Sequence, residues 1–447
     1  MNLSHLLMAR ESAGRPVTVG LIGAGKFGTM FLSQARLTKG IHVVGIADLN
    51  VERAHAQLRG AGWPNAQYDV TSLDDAIAQR KTFVSDNAAA LIADPRVEVI
   101  VEATGVPSAG IAHALDAFRN GKHVVMVNVE ADALAGPLLA QRAQAAGVVY
   151  SMAWGDQPAL ICEHIDWART CGFKVISAGK GTRYEPHYHA SNPSTVWDIL
   201  DKYLKITDRN SINPKMFNSF IDGTKSGIEM TAVCNATGLS PQSGGLAFPP
   251  ASRFELADIC KPKSDGGTLE REGVTEVVSS VTRDGKDVPH HLAMGTYVVF
   301  EGETEYARRC FSEYHLLPDQ SGRFAALYRP VHMIGLELGV SVASAALRKE
   351  PTGVATGFRS DVVATTKRAL KAGEFLDGEG GYCVWGKQAS AQRSLDGGLL
   401  PLGLAHNVKL KRDVVEGEEL KWTDVEYDAN DMAVRFRREM EEVFRPR

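Results

Sequence analysis

A glycine-rich turn, Gly23-Ala24-Gly25-Lys26-Phe27-Gly28, follows the β-branched run Val17 to Ile22 and opens a helical pattern through Met30, Phe31 and Ala35. In that setting each glycine has a physical task. Gly23 permits a tight turn, Gly25 lets backbone approach a pyrophosphate, and Gly28 allows close helix-strand packing. The helix N-terminus, at Lys26 and Phe27, offers free amides and a positive dipole end to phosphates. A second apolar run, Ile41 to Ala47, stops at Asp48, about 20 residues past Gly28. A carboxylate there can accept hydrogen bonds from ribose hydroxyls and repels a 2′-phosphate, so the pattern predicts dinucleotide binding with NAD favoured. Arg53, shortly after, keeps NADP as the alternative. A glycine-rich turn in an unliganded sheet is the competing reading.

Further along, Thr104 and Gly105 follow the strand that ends at Ala103, and Asn128 and Glu130 follow the next one, both where a doubly wound sheet exposes strand ends to ligand. They are expected on the nicotinamide side of the crevice; helix capping explains Asn128 and Glu130 equally well. Chemistry on a substrate needs a group that takes or gives a proton. Lys180, directly after the strand Phe173 to Ala178, and the run Asp222-Gly223-Thr224-Lys225-Ser226-x-x-Glu229 on a long helix supply candidates. Lys225 and Glu229 are i,i+4 and share a face with Asp222 and Ser226. A lysine desolvated beside an apolar ring can work as an acid or base, so Lys180, Lys225, Asp222 and Glu229 are the expected catalytic group; a salt-bridged surface face is the alternative. Glu185-Pro186-His187-Tyr188-His189 invites a metal, but no second cluster completes such a site, and none is expected.

These residues need a frame. Strand and helix patterns alternate regularly to about Ser151, which calls for a parallel doubly wound sheet over residues 1–155. Residues 156–350 read as a second, catalytic and dimerisation domain: a strand, a long polar loop from Gly179 to Asn213 with a short helix near Thr195 to Leu204, one helix from Met216 to Thr237, an open antiparallel sheet including Val274 to Val281 and Thr296 to Phe300, and a closing helix from about Val331 to Leu347. Short strands and turns over 355–430 suggest a small β-domain, with strands at Val362 to Thr365, Leu370 to Glu374, Leu399 to Leu404 and Val408 to Lys411. Met432, Phe436, Met440 and Val443 space a terminal amphipathic helix over 431–447.

Composition limits the partners. Of 447 residues, 49 are Lys or Arg and 53 are Asp or Glu, so no overall basic field exists to hold nucleic acid. No apolar run reaches a membrane-spanning length, and the first residues lack a basic n-region and a cleavage site, so cytoplasm is the expected location. The 6 cysteines have no paired spacing and read as reduced thiols.

The chain resembles the homoserine-dehydrogenase-like oxidoreductases that carry a C-terminal SAF domain, within them the 1-deoxy-D-xylulose 5-phosphate reductoisomerase-like (DXR-like) group. The resemblance rests on Gly20-Leu21-Ile22-Gly23-Ala24-Gly25, Glu102-Ala103-Thr104-Gly105, Asn120-Gly121-Lys122-His123, Val127-Asn128-Val129-Glu130-Ala131-Asp132, Ser177-Ala178-Gly179-Lys180-Gly181, Phe220-Ile221-Asp222-Gly223 and Asn235-Ala236-Thr237-Gly238-Leu239. It implies a Rossmann domain, an α/β catalytic domain with an open sheet, and a β-clip SAF domain over Asp361 to Asp424. Homoserine dehydrogenases have Asn-Lys where this chain has Asn128-Val129, and the DXR-like enzymes carry basic residues where it has Asp48. The expected activity is an NAD(P)-dependent dehydrogenase or reductase acting on a small polar hydroxy or carbonyl compound such as a sugar acid or polyol, with or without a coupled isomerisation, in a homodimer or homotetramer. The alternatives are an NADPH-dependent reductoisomerase of isoprenoid precursor synthesis and a non-catalytic dinucleotide sensor.

Overall fold

Six short strands form one parallel sheet: Val17–Ile22 (β1), Ile41–Ala47 (β2), Phe83–Ser85 (β3), Val99–Glu102 (β4), His123–Met126 (β5) and Tyr150–Met152 (β6), in the order β3-β2-β1-β4-β5-β6. Parallel neighbours require crossover connections, and helices supply most of them. The order reverses between β1 and β4, as a doubly wound sheet demands, which sets the ligand crevice at the carboxyl ends of these strands. This computed structural model describes residues 2–202 and 213–445. They gather into two units, one built from the chain up to Leu160 plus His332–Thr356, the other from Ile161–Val331 plus Gly357 onward.

In the first unit Val19, Leu21, Val99, Val101 and Val125 pack with Phe31 and Leu32 of the helix Lys26–Ala35. Two elements depart from the sequence reading. A helix at Leu3–Ser12, to which no pattern had pointed, buries Leu3 and Leu7 in this core. The apolar run Val331 to Leu347, expected to close the second domain, is helical only from Gly339, as Gly339–Ala343 and a π-turn over Ser344–Arg348. Its Leu338, Val342, Ala343 and Ala346 lie in the first unit's core. Apolarity marked the run as buried without saying against which core. Among the described residues no helix is long and apolar enough to cross a membrane.

The second unit is built on Lys174–Thr182 (β7), Val274–Ser279 (β8), Thr296–Glu301 (β9) and Phe324–Arg329 (β10), ordered β10-β9-β7-β8. β7 and β8 are parallel and the other pairs antiparallel, so the sheet is mixed where an antiparallel one was expected. The long chain between β7 and β8 is the crossover that makes the parallel pairing reachable. β7 runs on to Thr182, so Lys180 lies within the strand and not beyond it. The glycines that suggest a loop serve close packing: a Cβ on Gly179 would sit 1.7 Å from the Glu276 carbonyl oxygen. The helix expected from Met216 to Thr237 is two, Pro214–Ile221 and Thr224–Thr237, because Gly223 turns between them at φ +89°. The short helix near Thr195 is Val196–Leu200, and the end of that expectation lies outside the described residues.

C-terminal to these come Ser360–Thr366 (β11), Phe375–Asp377 (β12), Val384–Ser390 (β13), His406–Leu410 (β14) and Val425–Glu426 (β15), in a two-stranded β11-β13 and a three-stranded β12-β14-β15 sheet. Leu370 to Glu374 is a turn rather than a strand, and a helix at Ala391–Gly397 follows β13 behind the N-cap Ser390. The helix Thr224–Thr237 packs on both β11 and β13, which places these strands in the same unit as the mixed sheet. The terminal helix is Met432–Phe444.

Two buried charges here generate tests. Arg437 is fully buried, donating to both Asp361 oxygens at 3.2 and 2.6 Å and to Glu441 at 2.9 Å. Arg437→Met leaves the buried Asp361 carboxylate without its cation, while Glu441 keeps Arg438 at 2.7 Å, and should destabilise the second unit by about 3 kcal/mol or more in urea unfolding; a loss below about 0.5 kcal/mol would mean that the cluster contributes nothing. In the first unit Tyr150 donates to Asp132 Oδ1 at 2.8 Å, while Oδ2 has no partner among the described residues, and burial pushes the Asp132 carboxyl up to about 6. A carboxyl raised in the folded state favours the fold at low pH, and that contribution is lost as pH rises from about 4 through about 6. The stability of Asp132→Asn relative to the parent should therefore improve by roughly 3 kcal/mol between pH 4 and pH 8. Parallel pH profiles for the two proteins would contradict the assignment.

Candidate active site

The glycine turn adopts the geometry its sequence implies. Gly23 has φ +94°, and a Cβ on it would lie 2.7 Å from the Ala103 carbonyl oxygen; on Gly28 it would lie 2.3 Å from the Gly23 oxygen. A Cβ on Gly25 meets nothing within 4 Å, so the turn is open on the side where a pyrophosphate would lie. Gly25 is the N-cap of the helix Lys26–Ala35, whose first-turn amides, those of Lys26 and Phe27 among them, have no intrahelical acceptor. Lys26 is exposed and Phe27 half-buried. This cradle fits a dinucleotide phosphate.

Asp48 lies at the carboxyl end of β2 and is almost wholly buried. Its oxygens accept from the Ala24 amide at 2.8 Å, the Asn50 amide at 2.9 Å, and Arg53 at 2.8 and 3.0 Å. At the end of β4, Thr104 donates to the buried Glu102 at 2.5 Å, and His113 lies 3.2 Å from the same Glu102 oxygen. Gly105 follows at φ +69°. Asn128 caps the helix Val129–Ala145 by accepting from the Ala131 amide at 3.1 Å, and donates to the Val106 carbonyl at 2.9 Å. It therefore fixes the loop that carries Thr104 and Gly105, whereas Glu130 is partly exposed in the first helical turn.

In the second unit the candidate residues Lys180 and Glu229 meet at the polar end of an otherwise apolar sheet face. Side chains alternate along strands, and on one face Ala178, Val298 and Phe300 join Met230, Val233 and Cys234 of the helix Thr224–Thr237 in a single core. One step further along, Lys180 lies opposite Thr296, and Thr296 opposite Arg329. This row of three polar residues replaces the apolar rows before it. Lys180 is 4% exposed and forms a short ion pair with Glu229, itself 2% exposed, one turn after the buried Lys225. His164 lies 3.0 Å from the Thr296 hydroxyl, and burial, with the Arg329 charge adding to it, pushes this imidazole down to about 4, so it is neutral near pH 7.

Asp222 is not part of that pair. It precedes the helix, and its Oδ1 accepts from the Thr224 amide at 2.9 Å while Oδ2 takes the Lys367 ammonium at 2.7 Å. The shared helical face expected for Asp222 therefore does not form, because Gly223 breaks the helix between them. Lys367 also donates to the Ser191 and Gly381 carbonyls, each at 2.7 Å. His189 stacks on Trp385 at 3.8 Å between ring centroids. Its Nδ1 donates to the Asp222 carbonyl at 2.7 Å, which leaves Nε2 to accept from the Tyr184 hydroxyl at 2.9 Å. Both nitrogens of His189 are thus engaged, and burial lowers its pKa. His187 is exposed, 3.8 Å from Glu185. Among the described residues no group of three or more His, Cys, Asp or Glu is placed to hold a metal.

Sequence reading finds Lys180 and Glu229 but not their neighbours. Thr296 and His164 carry no local motif, and only the strand register brings them beside Lys180. Lys367 sits 142 to 145 residues from Lys225 and Asp222 in sequence, and an isolated lysine before Arg368 reads as solvated.

The family models that match the sequence agree with this division. Residues 19–152 match the family model described as homoserine dehydrogenase, NAD binding domain, and residues 155–338 match oxidoreductase DRL, catalytic domain. No curated protein matches the sequence. Among solved structures, biliverdin reductase from Synechocystis sp. PCC 6803 is 19% identical over 38% of this chain and 48% of its own, at a TM-score of 0.27, so the match spans less than half of that protein. Myo-inositol dehydrogenase from Lactobacillus casei is 16% identical over 65% of this chain and 72% of its own, with a TM-score of 0.36. Dihydrodipicolinate reductase from Paenisporosarcina sp. TG-14 is 11% identical over 75% and 97%, with a TM-score of 0.35. The chain thus joins a segment that matches an NAD-binding domain of the homoserine dehydrogenase type to one that matches the oxidoreductase DRL catalytic domain.

Proposed function

We propose that the protein is an NAD(P)-dependent oxidoreductase that interconverts an alcohol and a carbonyl on a small polar compound, a sugar acid, polyol or similar, with Lys180 and Glu229 as its proton-transfer pair. The observation that carries this reading is the buried Lys180–Glu229 pair at the polar end of the sheet face, in the domain that matches an oxidoreductase catalytic family. Glycine turn, helix N-terminus and Thr104 loop would hold the cofactor, which supplies or accepts the hydride when bound.

A lysine and a glutamate in hydrogen-bond contact share a proton, as ammonium with carboxylate or as amine with carboxylic acid. In the oxidation direction the substrate hydroxyl proton passes to the Lys180 amine as the C–H bond gives up its hydride and the C=O bond forms. In reduction the Lys180 ammonium returns a proton to the carbonyl oxygen as the carbon takes up hydride, and the Glu229 carboxylate stabilises the ammonium before the transfer. Thr296 and the neutral His164 can fix the orientation of a substrate oxygen beside Lys180 by hydrogen bonds. Lys225 adds a second cation on the same helix and suits a polar or anionic substrate group.

The finer grouping belongs to the same proposal: a DXR-like enzyme with a SAF-type C-terminal part. The five short C-terminal strands and the DRL catalytic-domain match support it, and an isomerisation coupled to reduction by NADPH is the corresponding second reading.

A screen of hydroxy acids, polyols and deoxyxylulose phosphate with each nicotinamide cofactor tests the reading, with turnover of at least one expected. On that substrate Lys180→Met should lower turnover by at least roughly 10²-fold, the usual scale for losing a general acid or base. Lys225→Met should act mainly on KM if the residue binds substrate. Near-normal turnover in both variants would return the lysines to a structural role, and no turnover with any substrate would favour a non-catalytic sensor.

A further inference from the structure

The last residue of β4 is an acid where the rest of the strand is apolar. Val99, Ile100 and Val101 are wholly buried, and so is Glu102. Taking a carboxylate out of water costs free energy that hydrogen bonds must offset. Its Oε1 has two neighbours, the Thr104 hydroxyl at 2.5 Å and His113 Nδ1 at 3.2 Å, and Oε2 has no partner among the described residues. A hydroxyl carries one proton and two lone pairs, whereas a carboxylate only accepts. The Thr104 proton is therefore committed to Glu102, and Thr104 presents lone pairs to everything else. Its remaining neighbours fit that role: the Val106 amide and Asn128 Nδ2 both donate to it, each at 3.4 Å. Those contacts are long, and Asn128 has a nearer acceptor in the Val106 carbonyl at 2.9 Å, so the oxygen keeps capacity for a closer donor. Thr104 also borders the glycine turn, because a Cβ on Gly23 would lie 2.9 Å from its amide nitrogen. It is half-buried, just past the strand beside which the sheet order reverses.

We propose that Glu102 is a positioning residue: by holding the Thr104 proton it makes Thr104 an obligate acceptor for the NH2 of the nicotinamide carboxamide. This rests on the reading of the first unit as a dinucleotide site and adds the group that sets the polarity of its nicotinamide end. A carboxamide offers N–H donors on one arm and a carbonyl acceptor on the other. A hydroxyl free to rotate serves either arm and does not tell the two orientations apart. Thr104, its proton held by Glu102, pairs with the NH2 arm and has nothing to donate to the carbonyl arm. Hydrogen bonds in such a chain polarise one another, so donation to a carboxylate strengthens the Thr104 oxygen as an acceptor. His113, on the helix Pro107–Arg119, engages the same Glu102 oxygen and helps to fix it.

The full chain is titrated by tryptophan fluorescence with whichever of NADH and NADPH binds more tightly, and with its 3-acetylpyridine analogue, in which a methyl group replaces the NH2. ADP-ribose, which lacks the nicotinamide, is the third ligand. The natural cofactor should bind roughly tenfold more tightly than the analogue, the value of one hydrogen bond to a polarised acceptor. Glu102→Gln supplies an amide that can donate to Thr104 and release its proton, so it should remove most of that ratio while ADP-ribose affinity stays within about twofold. Thr104→Val should remove the ratio and Thr104→Ser should keep it, a comparison that holds even where Glu102→Gln does not fold. A ratio near one in the unmodified chain, a ratio that Glu102→Gln or Thr104→Val leaves untouched, or equal weakening of all three ligands by Glu102→Gln would overturn the assignment and leave the dinucleotide reading in place. Binding of neither cofactor nor ADP-ribose by the unmodified chain would overturn both.

Discussion

The second unit depends on one buried ion pair. Lys367 and Asp222 are both almost wholly buried, and taking two such charges out of water costs several kcal/mol per ion unless every donor and acceptor is satisfied. Here the balance closes: the ammonium donates to one carboxylate and two carbonyls, and the second carboxylate oxygen caps Thr224. Four stretches of chain meet at this point, the loop through Ser191, the turn before the helix Thr224–Thr237, the end of β11 and the turn at Gly381. The helix that carries Lys225 and Glu229 is therefore held at its start by the C-terminal part of the protein. His189, stacked on Trp385 and bonded to the Asp222 carbonyl, repeats the link from the same loop. The C-terminal strands thus help to position the helix that carries Lys225 and Glu229.

That architecture explains why the Lys180–Glu229 pair persists in a buried setting. Apolar rows of the sheet face fill the space beneath two helices, and the final row changes to Lys180, Thr296 and Arg329 where the strands run out. Charge sits where the core ends, paired at once with an acid on the covering helix. Reduced dielectric strengthens such a pair, and the hydroxyl and imidazole beside it supply neutral hydrogen-bonding groups. The arrangement suits a reaction in which a proton moves on and off an oxygen atom while little water intervenes.

How much of this can be read from sequence follows from how local each signal is. The glycine turn, its strand and its helix are contiguous, so Gly23, Gly25, Gly28 and the parallel doubly wound class are legible from spacing, whereas the short strand Phe83–Ser85 and the strand order are not. Asp48 is legible as a residue but not as a geometry, because what occupies its oxygens depends on the rotamer of Arg53. Lys180 and Glu229 can be singled out by type, yet their pairing spans 49 positions and needs the sheet and helix to be packed. Thr296, His164 and Lys367 have no local pattern at all. Each misread element has its own cause: Gly223 splits a helix, the glycines of β7 imitate a loop, and the run after Val331 is apolar without stating which core it joins.

One irregularity in β7 decides which face the chemistry occupies. The register against β9 runs Val175 to Phe300, then Ser177 to Val299 and Ala178 to Val298, so one extra residue is accommodated around Ile176. Without that bulge the period-two alternation would place Val175 and Ala178 on opposite faces of the sheet. With it, both join the core beneath the helix Thr224–Thr237, while Ile176 packs into the core on the other side. Lys180 follows Ala178 by two positions and is carried to the same face. A regular strand would aim its ammonium away from Glu229 and toward the apolar cluster that holds Tyr297 and Phe324. The bulge therefore re-aims the strand, as such insertions often do, and a single inserted residue ahead of Gly179 brings Lys180 to the face that Glu229 covers.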